Sequence, residues 1–296
     1  MSVVDGAVTT ERSPDGPSAA SVARRERRRA LVRSKTFLVG AVIVGFWVLC
    51  ALFGSSVVPK DPYALELLGK LKGPSGAHWF GTDQLGRDVF SRVIVGARDI
   101  LIVAPLATLI GTVLGTALGL VTGYFHGAVD DALSRVIDAF LAVPVVIVGL
   151  LALVALGPSR FTVIAVIGVV FTPIIARTVR AAVLSERELD YVAAARLRNE
   201  HAPYILFVEI LPNVSAPILV EFTVRLGYAI FAIATLSFLG FGIQRPSPDW
   251  GLQIFENYSL ISAGFWWTTL FPALAIASLV VGVNLISDGV NQVFER

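Results

Sequence analysis

The chain has 296 residues, of which 55% are hydrophobic and only 16% charged, with a mean hydropathy of +0.75. That balance excludes an ordinary soluble domain and describes a polytopic membrane protein. The net charge of +2 conceals a strong local bias, and a lone cysteine, Cys50, excludes an internal disulfide.

Residues 1 to about 23 are rich in Ser, Pro, Gly, Ala and Thr, which predicts disorder. Arg24, Arg25, Arg27, Arg28, Arg29, Arg33 and Lys35 complete a basic tail, 1–35. The first span, 36–58, follows directly, uncharged from 37 onward. Basic residues ahead of a first span predict a cytoplasmic amino terminus. A cleaved signal peptide does not fit, because the tail is long and Trp47 and Phe53 stand where small residues are needed. Further uncharged or nearly uncharged stretches lie at 100–125, 139–159, 161–176, 213 to about 236, and 265–287. Crossing the hydrocarbon core takes about 20 apolar residues in a helix, so six spans are predicted, with Arg160 and Arg177 snorkelling at the ends of the shortest. An even count puts both ends on one side.

This topology makes 59–97 an extracytoplasmic segment and 98–290 a core of five spans with a cytoplasmic loop at 178–211. The inner loop holds Arg180, Arg187, Arg196 and Arg198, whereas 237–264 outside holds only Arg245, as the positive-inside rule requires. The outer 57–99 stretch runs against it with six Lys or Arg, offset by five Asp or Glu. Within it, Gly81 and Gly86 are turn residues, and Thr82 or Asp83 is predicted to cap a helix starting near Leu85. Asp88, Arg92 and Asp99 are predicted to pair locally. Ser237 to Trp267 reads as a re-entrant or interfacial turn with Trp250, Trp266 and Trp267 at headgroup depth. Both outer segments fit either a lid on the bundle or a surface that meets a substrate-delivery protein.

Glu188 to Pro212 is the longest polar stretch between apolar runs in the second half. Leu189, Val192, Ala193 and Leu197 recur at helical spacing, with Pro203 predicted to break that helix and Pro212 to open the next apolar run. The span beyond it carries Glu221 and Arg225, four apart on one face, which predicts an intramembrane pair or a polar lining. Gly111, Gly115, Gly119 and Gly123 form a small-residue stripe for close helix packing. The chain has no Walker-A, HExxH or CxxC sequence, and its three His, at 78, 126 and 201, are scattered. ATP-driven work would therefore need another chain to bind the nucleotide.

Four segments in order carry a family resemblance: GTDQLGRDVFSRVIVGAR at 81–98, GYFHGAVDDALSRVIDAFLAVP at 123–144, YVAAARLRNEHAPYILFVEILPN at 191–213 and LSFLGFGIQRPSPDWG at 236–251. Together they resemble the inner-membrane permease subunits of ATP-binding-cassette importers, specifically the C-type subunit of the dipeptide, oligopeptide and nickel group. The resemblance runs from about residue 34 to the end. It implies an all-α, six-helix type I permease fold with both termini cytoplasmic. It implies a non-enzymatic subunit of the cytoplasmic membrane, with no cofactor, metal or catalytic residue of its own. Its implied partners are a second, homologous permease, two ATPases that hold ATP and Mg, an extracytoplasmic binding protein and membrane lipid, but no nucleic acid.

Carried over residue by residue, the cytoplasmic signature of the family matches at Ala194, Ala195 and Pro212. It departs at Ala193, where the family has Glu, at Asn199, where it has Gly, and at Glu209, where it often has His. Asn tolerates the left-handed conformation that Gly supplies, so the turn can survive. The resemblance makes 188–203 a coupling helix whose ATPase contacts are Asp190, Tyr191, Ala193, Ala194, Ala195, Arg196, Arg198, Asn199, Glu200 and His201. It assigns Gly81, Thr82, Asp83, Gly86, Arg87 and Asp88 to the outer face. Dipeptides or short oligopeptides are the leading substrates, with nickel chelates, glutathione, wall-derived peptides and haem also compatible. A secondary transporter or channel built on Glu221 and Arg225 is the alternative. A membrane enzyme or scaffold would need a nucleophile–base or metal cluster that the sequence lacks.

Overall fold

The computed structural model describes residues 31–125 and 127–294, and the basic tail up to residue 30 lies outside them. Ser34 accepts the Phe37 amide at 3.4 Å and starts α1, Lys35–Val57. Only Gly40, Trp47 and Gly54 of α1 are buried, Ile43, Val44, Cys50 and Ala51 pack partly on the core, and Val39, Val42, Phe46, Leu49, Leu52 and Phe53 are exposed as on a lipid-facing helix. Trp47 anchors it, with Nε1 donating to Ser278 Oγ at 2.9 Å and the ring edge-on to Trp250.

Helix α2, Val89–Tyr124, starts at Asp88, whose carboxylate accepts the Ser91 amide at 2.9 Å. This start lies beyond the expected one near Leu85, because Asp83 is used differently. Its Oδ1 accepts the amides of Leu85 and Arg87 and closes a turn before the helix begins. The glycine stripe of α2 packs on α5, Arg160–Glu186. A Cβ at Gly115, Gly119 or Gly123 would lie 2.6–2.7 Å from the Cβ of Ile175, Val179 or Val183, so only glycine permits this approach.

The expected third span is broken. Helix α3, Ala128–Leu141, and α4, Val145–Leu156, meet at an 88° bend ahead of Pro144 and Val145. Among the described residues, five helices are long and apolar enough to cross a membrane, or six if the bent pair is one crossing. After α5 comes α6, Asp190–Leu197, then α7, Ala202–Phe238. Pro203 opens α7 rather than ending α6, since its missing N–H costs nothing in a first turn. A wide π turn at Ile205–Ile210 precedes Pro212, whose ring would strike the carbonyl four residues back in a regular helix. Helix α8, Trp250–Asn257, and the 3₁₀ turn Tyr258–Ala263 lead to α9, Trp267–Phe294, which packs on α1 and α7. Of the three tryptophans of 237–267, Trp250 and Trp267 are buried in the bundle and Trp266 is exposed. No strand forms among the described residues, only one bridge between Thr82 and Asp88.

Candidate functional site

Helix α6 stands at one end of the bundle between α5 and α7. Asp190 in its first turn and Arg196 in its last turn match the helix dipole. Val192 and Ala195 are fully buried and seat the helix. Ala193, Ala194 and Leu197 face outward, and Leu197 is 84% exposed. The helix ends in a Schellman turn: Glu200 donates its N–H to Ala195 O at 3.2 Å and Asn199 to Arg196 O at 2.9 Å. Asn199 holds φ +58°, so asparagine does adopt the left-handed conformation at the position where the signature has glycine.

Charged side chains brace this helix. The Arg187 guanidinium donates to the carbonyls of Gly123 and Tyr124 at the end of α2. Arg196 lies over the Tyr124 ring, 5.4 Å from its centre. Tyr191 donates to Glu186 at 2.6 Å, and burial together with that bond pushes its pKa up to about 12. The unexpected Glu209 accepts from Arg198 at 3.1 Å, and Arg198 also lies 3.7 Å from Glu200. Asp190 and His201 are exposed and Glu200 is half-buried. The result is a small apolar ridge rimmed by charge, a shape suited to a groove on another protein and without groups for covalent chemistry. Leu197 was not among the expected contacts. Its signal was an apolar side chain on the face opposite Val192 and Ala195.

The outer-face residues form a different structure. Thr82, Asp83, Arg87 and Asp88 are all buried. Arg87 donates to Asp83 at 2.6 Å and to Glu256 of α8 at 2.5 Å, and Arg245 donates to the other oxygen of Glu256 at 2.5 Å. Burial acts to raise the Glu256 pKa, but Arg87, Arg245 and Arg92 outweigh it and hold the carboxyl below its usual range. Gly81 and Gly86 have positive φ, and a Cβ at Gly86 would lie 2.0 Å from Glu66 O. These residues tie the 59–97 segment to α8. The expected local pairs do not form. Asp88 instead bonds His78 at 2.9 Å, Asp99 bonds Arg160 and Ser247, and Arg92 donates to the carbonyls of Pro62 and Ser247 at 3.2 Å. Glu256 and Arg245, the residues that hold the network, carried no pairing signal because they are remote in sequence from Arg87.

Within the spans, Glu221 and Arg225 pair at 2.5 Å, and Arg225 also covers the Tyr228 ring at 5.2 Å. The sequence-predicted residues thus fall into three separate places: the α6 end, the outer network and this pair.

The family profile described as binding-protein-dependent transport system inner membrane component matches residues 115–296, and that of the N-terminal TM domain of oligopeptide transport permease C matches 24–74. The chain is 36% identical to the dipeptide transport system permease protein DppC of Alkalihalophilus pseudofirmus, over 92% of this chain and 89% of that one. It is 35% identical to the probable D,D-dipeptide transport system permease protein DdpC of Escherichia coli, over 87% and 86%. It is 33% identical to the glutathione transport system permease protein GsiD of Pectobacterium atrosepticum, over 92% and 90%. Such permeases are translocation subunits rather than enzymes. With its apolar helices and these matches, the chain belongs to the inner-membrane components of binding-protein-dependent transport systems, as a multi-pass permease.

Proposed function

We propose that this chain is one of two membrane subunits of an ATP-driven importer for dipeptides or short oligopeptides. A binding protein outside delivers the substrate, and two ATPases inside bind ATP and Mg. The chain crosses six times, the bent α3–α4 pair counting as one crossing, and both termini lie in the cytoplasm. The observation that carries the reading is α6: a short helix seated by Val192 and Ala195, ended by the Asn199 turn, with Ala193, Ala194 and Leu197 turned outward. In a cleft of one ATPase it converts ATP-dependent closure into rocking of α5 and α7, the rigid helices on either side of it. Dipeptide transport in the names of two relatives supports the substrate class.

The test is the assembled transporter carrying Ala194→Arg or Leu197→Asp. Each change is expected to abolish peptide uptake and the ATPase stimulation given by the binding protein, while the chain still inserts and co-purifies with the second permease. Uptake at the parent rate in both variants would remove α6 as the coupling element. Glu221 and Arg225 neutralise one another, which leaves no unpaired charge there for ion coupling.

A further inference from the structure

A cleft of about 1070 Å³ opens between the end of α1, the first turns of α2, the start of α5 and the loop 243–248. Helix α5 has 27 residues and is therefore ~40 Å long, so this cleft and α6 stand at opposite ends of one helix. The wall is held in shape by buried polar groups. Asp99 bonds both Arg160 and Ser247, and the buried Arg92 donates to the carbonyls of Pro62 and Ser247 at 3.2 Å.

Five charged side chains line the cleft, and three of them are engaged. Arg160 and Asp99 pair with each other, and Lys60 Nζ lies 3.1 Å from His78 Nε2. Arg98 and Asp61 are left. Arg98 is exposed and makes no hydrogen bond or ion pair among the described residues. Asp61 is exposed, and its carboxylate accepts only the Tyr63 amide, at 2.9 Å through one oxygen. The two do not pair with each other.

A wall fixed in shape that offers one guanidinium and one carboxylate is complementary to a ligand carrying a charge of each sign. The guanidinium is a planar fork that matches a carboxylate. Val58, Val95, Ile102 and Ile243 add apolar surface to the same wall. A zwitterionic peptide with an apolar side chain has that pattern. The volume is at the upper end of the range for small-molecule sites. A protein partner, by contrast, takes a broad face of about 800 Å² on each side, whereas these groups converge in a concavity.

We propose that this cleft receives a short zwitterionic peptide on the delivery side of the permease. Arg98 takes the carboxylate end, Asp61 the ammonium end, and Val95 and Ile102 a side chain. The assignment rests on the peptide-import reading above, which puts α6 at the ATPase end and so the cleft at the delivery end. Arg160 is the first residue of α5, so the wall of the cleft moves with the helix that α6 drives.

The test uses the complete transporter in liposomes, with Cys50→Ala and Ser55→Cys in this chain. Ser55 is exposed and lines the cleft. A charged methanethiosulfonate is added from either side without binding protein, and its attachment at position 55 is followed by mass. The reagent is expected to attach, and alanyl-alanine to slow it. The carboxyl-amidated and N-acetylated forms of that dipeptide are expected to need at least about tenfold more for the same slowing, as loss of a hydrogen bond to a charged group entails. The same shift is expected for alanyl-alanine itself with R98Q or D61N. These comparisons are independent, because the blocked peptides need no change at Arg98 or Asp61. An unreactive position 55 overturns the proposal, as does a reaction indifferent to alanyl-alanine, equal slowing by the blocked forms, or parent slowing in R98Q and D61N. Slowing by peptide-free binding protein alone would mark a protein contact and overturns it too. Any of these outcomes in a transporter that imports dipeptide once binding protein is added leaves the import reading standing. A parent transporter that imports no peptide overturns the import reading as well.

Discussion

Asn199 carries a backbone demand that its side chain can meet. Its left-handed φ is what lets the Glu200 and Asn199 amides cap α6. Asn199→Gly is expected to leave uptake intact, and Asn199→Val to destabilise the turn by about 1–2 kcal/mol and to weaken ATPase stimulation, read in the same membranes. Asp249 poses a different problem. It caps α8 through the Leu252 amide at 2.8 Å, yet burial pushes its pKa up to about 6. A folded pKa above the unfolded value near ~4 means the native state binds more proton in that window, so stability falls as pH rises from about 4 to about 6. Asn caps as well as Asp, so Asp249→Asn is expected to gain about 2–3 kcal/mol at neutral pH and to flatten that slope. Thermal unfolding in detergent at pH 5 and pH 7.5 compares the two proteins. Asn199 was legible in sequence because the requirement is local. Asp249 was not, since its burial depends on helices that only the fold brings round it.

At the scale of elements, the α2–α5 contact shows what a spacing rule can and cannot disclose. Four glycines at i, i+4 spacing announced a close neighbour but not which one. In the structure that neighbour is α5, met through Ile175, Val179 and Val183. Gly119→Ala is expected to cost about 1–3 kcal/mol, because its Cβ would lie 2.6 Å from that of Val179 and 2.8 Å from Ala176 O. Gly45→Ala on the outward side of α1 meets nothing within 4 Å and is the matched control, expected to leave the unfolding midpoint unchanged. Helix starts were harder to read than helix faces. Asp83 looked like a cap, but its two oxygens serve a turn and Arg87, and the cap passed to Asp88. Pro203 looked like a stop because proline ends one helix and begins another with equal ease.

At the scale of the molecule, the end of the bundle that carries α8 is held by charge rather than by apolar packing alone. Asp83 and Glu256 face Arg87 and Arg92 with almost no solvent, and Arg245 closes the group from the surface. Glu256→Gln is expected to cost about 3–5 kcal/mol, since it leaves buried guanidinium groups short of a counter-charge. High salt is not expected to reverse this loss, which thermal unfolding across a salt series checks. Of the basic residues in 57–99, which run against the positive-inside rule, Arg87 and Arg92 are buried in this network. The positions of the spans were legible from composition, and the bend at α3–α4 was not. An uncharged run has the same composition whether it crosses straight or turns halfway.

That bend has a mechanical consequence for the bilayer. Helix α4 has 12 residues and is therefore ~18 Å long, while a typical hydrocarbon core is ~30 Å thick. If α4 alone faces lipid on that flank, the difference is a local hydrophobic mismatch, which lipid meets by thinning or tilting at a modest cost per ångström. A permease that carries such a dent should sense the thickness of the membrane it sits in. Transport measured in vesicles of graded acyl length should fall as the chains lengthen, with the binding protein and the ATPases unchanged.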